Sequence, residues 1–173
     1  MISPLYLRTM AAYNSEMNRR LYAAAARLPD AVRREDDGLF WVTLHATLNH
    51  LLWADEMWMS RFDGWERPAL GLKDSGKLIA NFADLAAARA VADHRIEAWA
   101  QMLTDDDLQG DLVWYSGSTQ TERRSPKWLL YTHFFNHQTH HRGQATAVTT
   151  KHGEDVGDTD LWLVVPEEIF APL

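Results

Sequence analysis

His133-Phe134-Phe135-Asn136-His137-Gln138-Thr139-His140-His141-Arg142-Gly143-Gln144 carries four of the chain's eight histidines. Apolar residues around it recur at the helical period, so the stretch belongs to one long helix. Ser125-Pro126 reads as its start, with Ser as N-cap and Pro at the first helical position. The helix runs to about Lys151, and Gly153 stops it. Leu130, Phe134, His137, His141, Gln144 and Val148 share one face. Residues four apart on a helix stack above one another, so His137 and His141 point the same way, toward the core. A lone histidine there reads as a neutral core residue satisfied by hydrogen bonds. A pair at this spacing reads better as two ligands of one metal ion, with a third ligand from elsewhere.

Working outward, three more helical segments appear. The first runs from Pro4 to Leu28, with Leu7, Met10, Met17, Leu21, Ala24 and Leu28 at spacings of three and four. Asn14 lies on that stripe and needs a buried partner. A charged loop through Arg33 to Gly38 follows. The second segment spans Trp41 to Phe62. One stripe there holds Leu44, Leu48, Leu51 and Phe62, interrupted by Asp55; the other holds Ala46, His50, Trp53, Ala54 and Met57. Gly64 ends it, and Arg67 to Gly76 reads as a connecting loop. The third spans Phe82 to Leu103, on Phe82, Leu85, Val91, Ile96, Trp99 and Leu103. Between helices three and four, Asp111 to Tyr115 and Thr119 to Arg123 flank Ser116-Gly117-Ser118, the pattern of a short hairpin. The apolar tail, Thr159 to Leu173, is expected to pack on the rest. The expected fold is therefore all-α, an antiparallel four-helix bundle in one domain over residues 1–173, with a hairpin between helices three and four.

For the third ligand, His50 competes with His45, and their helical angles differ too much for both to face one centre. His50 lies among Ala46, Ala54 and Met57, where small side chains leave room for an ion, and is modestly favoured on pattern. His133 and His140 sit at the edge of the His137 face and read as supporting or structural residues. Gln144 and Asn14 are candidates to hold a ligating ring through its second nitrogen. His94 and His152 read as surface residues, and Asp55 and Glu56 as solvated or ion-paired carboxylates.

Composition narrows the function. The formal charge is −7, with 17 Lys and Arg against 24 Asp and Glu. That balance opposes nucleic acid, whose binding rests on neutralised phosphates. The chain has no cysteine, which removes thiolate zinc sites, disulfides and cysteine nucleophiles. No apolar run approaches the ~18 residues of a membrane span, and no signal peptide is evident, so a cytoplasmic location is expected.

These residues resemble the DinB-like, or YfiT-like, superfamily of metal-binding four-helix bundles. The resemblance rests on Tyr13-Asn14 with Asn18, on Leu48-Asn49-His50-Leu51-Leu52-Trp53-Ala54-Asp55 with Trp58, on His133 to Gln144, and on Thr159-Asp160-Leu161. It implies a mononuclear site of His50, His137 and His141 with water completing the shell, and zinc or nickel ahead of iron or copper as the ion. It further implies a small-molecule substrate, with a low-molecular-weight thiol among the candidates. Phe40-Trp41 stands where relatives carry a small residue or serine, which alters the pocket entrance. Three protein ligands and an open position fit a catalytic ion, because structural zinc is normally closed by four. The expectation is a metal-dependent hydrolase or thiol transferase, with a non-catalytic metal-binding or stress-response protein as the alternative. The aromatic content is compatible with a homodimer.

Overall fold

In the computed structural model, residues 2–117 and 119–169 are described. Four long helices build the body: α1 (Pro4–Arg27), α3 (Leu44–Phe62), α4 (Phe82–Met102) and α5 (Lys127–Lys151). A single turn, α2 (Asp30–Arg33), follows α1 inside the segment read as a loop. Strands β1 (Asp111–Ser116) and β2 (Thr121–Pro126) form the expected hairpin, and a short α6 (Leu161–Val164) lies in the tail. α6 packs against α1, as expected of the tail, whose last four residues lie outside the described residues. No described helix is long and apolar enough to cross a membrane.

The helix starts follow local chemistry. Ser3 caps α1, accepting from Tyr6 N at 3.1 Å, and Asn81 caps α4 through Ala83 and Asp84. α3 begins at Leu44 rather than Trp41, because Thr43 caps it and Val42 stands at φ 70°. A β-branched residue in the left-handed region cannot extend a helix backward. α5 also starts one residue later than read. Ser125 pairs with Leu112 in the hairpin instead of capping, and Lys127 N donates to Gly110 O at 3.0 Å. The hairpin thus does the work assigned to the cap.

Side-chain contacts give the direction of each helix. Along α1 and α4, Tyr22 meets Phe82 and Asn18 meets Asp93, so the two are antiparallel. α3 and α5 are antiparallel, since His50 faces His137 and His141 while Phe62 faces Phe134. α3 and α4 run the same way, with His45 near Phe82 and Phe62 near Trp99. α1 and α5 also run the same way, as Asn14 meets Arg142 and Arg27 meets Glu154 just past α5. The four-helix bundle is as expected; the order of its helices adds something. To start α4 beside the start of α3, the chain must return along the whole of α3.

The return segment, residues 63–81, lies on α3 as a strap. Trp53 Nε1 donates to Leu70 O at 2.7 Å, Ser75 meets His50, and Ile79 O meets His45 Nε2 at 3.0 Å. At Gly76 an added Cβ would stand 3.1 Å from Ala46 Cβ, so the strap crosses α3 closely there and a side chain would press on the helix. This segment was read as a plain connector.

The interior has an aromatic end and a charged middle. Phe62, Trp99, Tyr131 and Phe134 stack or meet edge to face at one end. In the middle, Arg89 is buried between Asp55 (2.5 Å) and Asp93 (2.8 Å). Gln138 donates to Asp55 Oδ1 at 2.7 Å, and Asn18 to Asp93 Oδ1 at 2.9 Å. Asp55 is therefore the ion-paired carboxylate of the two readings. Burial pushes Asp93 up to about 6. Val91, placed in the core by the sequence reading, is 61% exposed. The buried face of α4 runs instead through Arg89, Ala92, Asp93 and Ile96.

Candidate metal centre

α3 and α5 pack antiparallel with His50 opposite His137 and His141. The ligand nitrogens of these three all lie within 4.8 Å of one another, and among the described residues they form a cluster able to hold a metal ion. His50 Nε2 and His137 Nε2 are 3.3 Å apart. Two imidazole nitrogens bound to one tetrahedral ion at ~2.0–2.1 Å are themselves about 3.3 Å apart. Two neutral acceptor nitrogens at that distance repel unless a proton or cation lies between them. The arrangement fits a divalent ion.

The second nitrogens are held from behind. His50 Nδ1 lies 2.9 Å from Ser75 Oγ on the strap, and His141 Nδ1 lies 2.8 Å from Gln144 Oε1. The amide oxygen can only accept, so His141 carries its proton on Nδ1 and leaves Nε2 free to ligate. Trp41 covers His50 from the other side, its ring stacked at 4.2 Å. Trp41 is held there by a tight turn in which Val42 N donates to Leu39 O at 2.8 Å.

Burial keeps all three rings neutral. It pulls His50 down to about 3, helped by His137 and His141, and His137 down to about 4, helped by His141. It lowers His141 as well. A neutral imidazole is the form that binds metal, so the site is held ready for an ion. A stability consequence follows for the metal-free protein. The folded values lie below the ordinary ~6.5 of an unfolded histidine. The unfolded state then binds more protons between about pH 6.5 and 3, and stability falls as pH drops through that window. Urea midpoints of metal-free protein are expected to decrease steadily from pH 7 to pH 4. In the His50→Ala, His137→Ala double variant that slope is expected to be shallower.

The other sequence candidates resolve as follows. His45 is buried away from the cluster, bonded to Ile79. His133 is exposed at the rim of the adjoining cleft, 5.8 Å from the His137 ring. His140 and His94 are exposed. His152 is not a free surface residue; it is half-buried, with Nε2 3.6 Å from the buried carboxylate of Asp37. Glu56 is partly buried, which raises its pKa. Gln144 holds the His141 ring through Nδ1, as expected. Asn14 does not: its Oδ1 accepts from the buried Arg142, while its Nδ2 is buried without a partner among the described residues. Sequence reasoning missed Ser75. Its signal was Gly76 next to it, a small residue where two chain segments touch.

A cleft of about 660 Å³ opens beside the cluster, lined by His50, His137 and His133 and by the apolar faces of Trp53, Met57 and Trp58. Tyr115 and Gly117 of the hairpin and Leu72 of the strap close its sides. Ions held only for structure are closed in; this cluster has a route to solvent.

Comparison with known proteins agrees with this architecture. No curated protein matches the chain. Among solved structures, one similar fold belongs to YfiT from Bacillus subtilis, described as a probable metal-dependent hydrolase with an unusual four-helix bundle topology. The TM-score is 0.62 at 19% identity, covering 90% of this chain and 92% of that one. The DinB family model matches residues 1–168, from α1 through the tail that packs on it, and the chain therefore belongs to the DinB family.

Proposed function

We propose that this protein is a divalent-metal-dependent hydrolase of a small molecule, with His50, His137 and His141 as its metal ligands. The observation that carries this reading is a cluster of three neutral imidazoles, two of them held through Nδ1, with His50 and His137 on the wall of an open cleft. Bound there, a divalent ion supplies Lewis acidity, which lowers the pKa of water and polarises a substrate oxygen. The nitrogen donor set suits zinc or nickel, with iron and copper as rarer occupants. Trp53, Met57 and Trp58 exclude water from the apolar part of a bound substrate. His133 lines the same cleft without belonging to the cluster, and is the candidate to take up a proton during hydrolysis. The likeness to YfiT, described as a probable hydrolase, points the same way.

Thiol transfer is the second chemistry compatible with the site. The chain contains no cysteine, so the thiol would be a cosubstrate. The test is an assay of zinc- or nickel-loaded protein on small esters and amides, with and without added glutathione or cysteine, read by mass spectrometry. Hydrolysis without thiol, lost in His137→Ala, is expected. Turnover only with thiol would make the protein a transferase. Absence of turnover in both arms would favour the non-catalytic metal-binding alternative. His133→Ala is expected to keep its metal while losing rate, which separates His133 from the ligands.

A further inference from the structure

We propose that the cleft takes an elongated anionic molecule with an apolar body, its carboxylate or phosphate held by Arg61 and Arg67 at the end away from the histidines. This deepens the hydrolase reading, since it names the substrate class of the same site. The chain as a whole is acidic, with 24 Asp and Glu against 17 Lys and Arg. The cleft reverses that balance: Arg61, Arg67 and Lys73 line it, and no Asp or Glu does. Among the described residues, none of these three cations forms an ion pair with a carboxylate.

Arg61 is the anchor. Its guanidinium lies over the Trp58 ring at 4.5 Å and near the Trp114 ring at 5.7 Å. Its Nε is buried with no partner. Burial, and then the like charge of Arg67, pull its pKa down to about 10. Two like charges lining one cleft without a carboxylate cost free energy that a bound anion recovers, and the planar fork of arginine matches carboxylate and phosphate. The stacked tryptophan fixes that fork in direction.

Position along α3 gives the length. His50, Trp53, Ala54, Met57, Trp58 and Arg61 all face the cleft. From His50 to Arg61 the helix rises about 16 Å. The anion on Arg61 is therefore not the group at the histidines. A molecule reaching both ends lays its apolar middle on Met57 and Trp58. Lys73, on the strap near Ser75, adds positive charge at the histidine end.

The test uses full-length, metal-loaded protein and three probes: phenylbutyrate, phenyl phosphate and the uncharged isostere phenylbutyramide. Calorimetry is expected to show about tenfold tighter binding of the two anions than of the amide. The ratio of phenylbutyrate to phenyl phosphate affinity identifies the preferred anion. Arg61→Gln is expected to remove the preference while leaving metal content unchanged. Arg67→Gln, at an exposed residue, is expected to weaken it. Equal binding of anions and amide, or an anion preference intact in both variants, would overturn the proposal. The same titration on His137→Ala separates the two readings. Anion preference without metal would uphold the clamp even if the hydrolase reading fails. Metal binding without anion preference would leave the hydrolase reading standing and sink the clamp.

Discussion

Asp55→Ala is expected to cost about 3–5 kcal/mol of folding stability, the usual cost of removing one partner of a buried ion pair. The carboxylate is 1% exposed, and its two oxygens serve different helices: Oδ2 meets Arg89 on α4, and Oδ1 accepts from Gln138 on α5. Its loss leaves Arg89 with Asp93 alone and strands the Gln138 amide in the core. Arg89 keeps one counter-charge, so the cost lies in its lost second carboxylate and in the stranded amide, both deep in the core. A domain with a stability of ~5–15 kcal/mol loses a large share of it. The double variant Asp55→Leu, Arg89→Met is expected to recover none of this stability, because it strands the buried Asp93 with Asn18 as its remaining side-chain partner. Urea unfolding with unchanged slope is the measurement. A shift below about 1 kcal/mol for the single variant would mean that water, not protein, satisfies Arg89. The network also bears on the site. Gln138 is the neighbour of His137, so the bond to Asp55 fixes α5 against α3 at the level of the histidines.

In His137→Ala, the stabilisation that metal gives the folded protein is expected to vanish. An ion at a concentration ~1,000-fold above its Kd stabilises by about 4 kcal/mol. For a chain of this size that is about 8–16 °C in Tm. In the metal-free state the same substitution is expected to change stability little. His137 is only half-buried, and its removal relieves the crowding of His50 Nε2 at 3.3 Å. A scan with and without zinc therefore separates loss of a ligand from loss of packing. A Tm shift with zinc retained in the variant would take His137 out of the site.

Much of this was legible in the chain before any coordinates. The spacing of His137 and His141 puts both rings on one face, and the neighbours of His50 modestly favour it over His45, a choice the family resemblance strengthens. The four long helices and the hairpin follow from apolar period and turn residues. What stayed hidden has common physical causes. Arg89, Gln138 and Arg142 are polar, so no hydrophobic pattern marks them as interior, although Tyr131, Phe135, Gln138, Arg142, Ala145 and Thr149 lie at spacings of three and four. Val91 took a core place in the reading because the true position, Arg89, is charged. The hairpin replaced the Ser125 cap because a strand bond from Lys127 to Gly110 does the same work. The strap could not be read because helix direction is set by tertiary packing. Once α3 and α4 run in parallel, residues 63–81 must recross the bundle, and that crossing brings Ser75 to His50.

The most direct test of the central claim is the metal content of untagged protein purified without a metal column, by mass spectrometry. Wild type is compared with His50→Ala, His137→Ala, His141→Ala and His133→Ala. Near one divalent ion per chain in wild type and His133→Ala, and loss in the other three, is the expected result. A wild-type protein that takes up neither zinc nor nickel on incubation, or one whose ion survives loss of His50 and His137, would contradict the three-histidine centre.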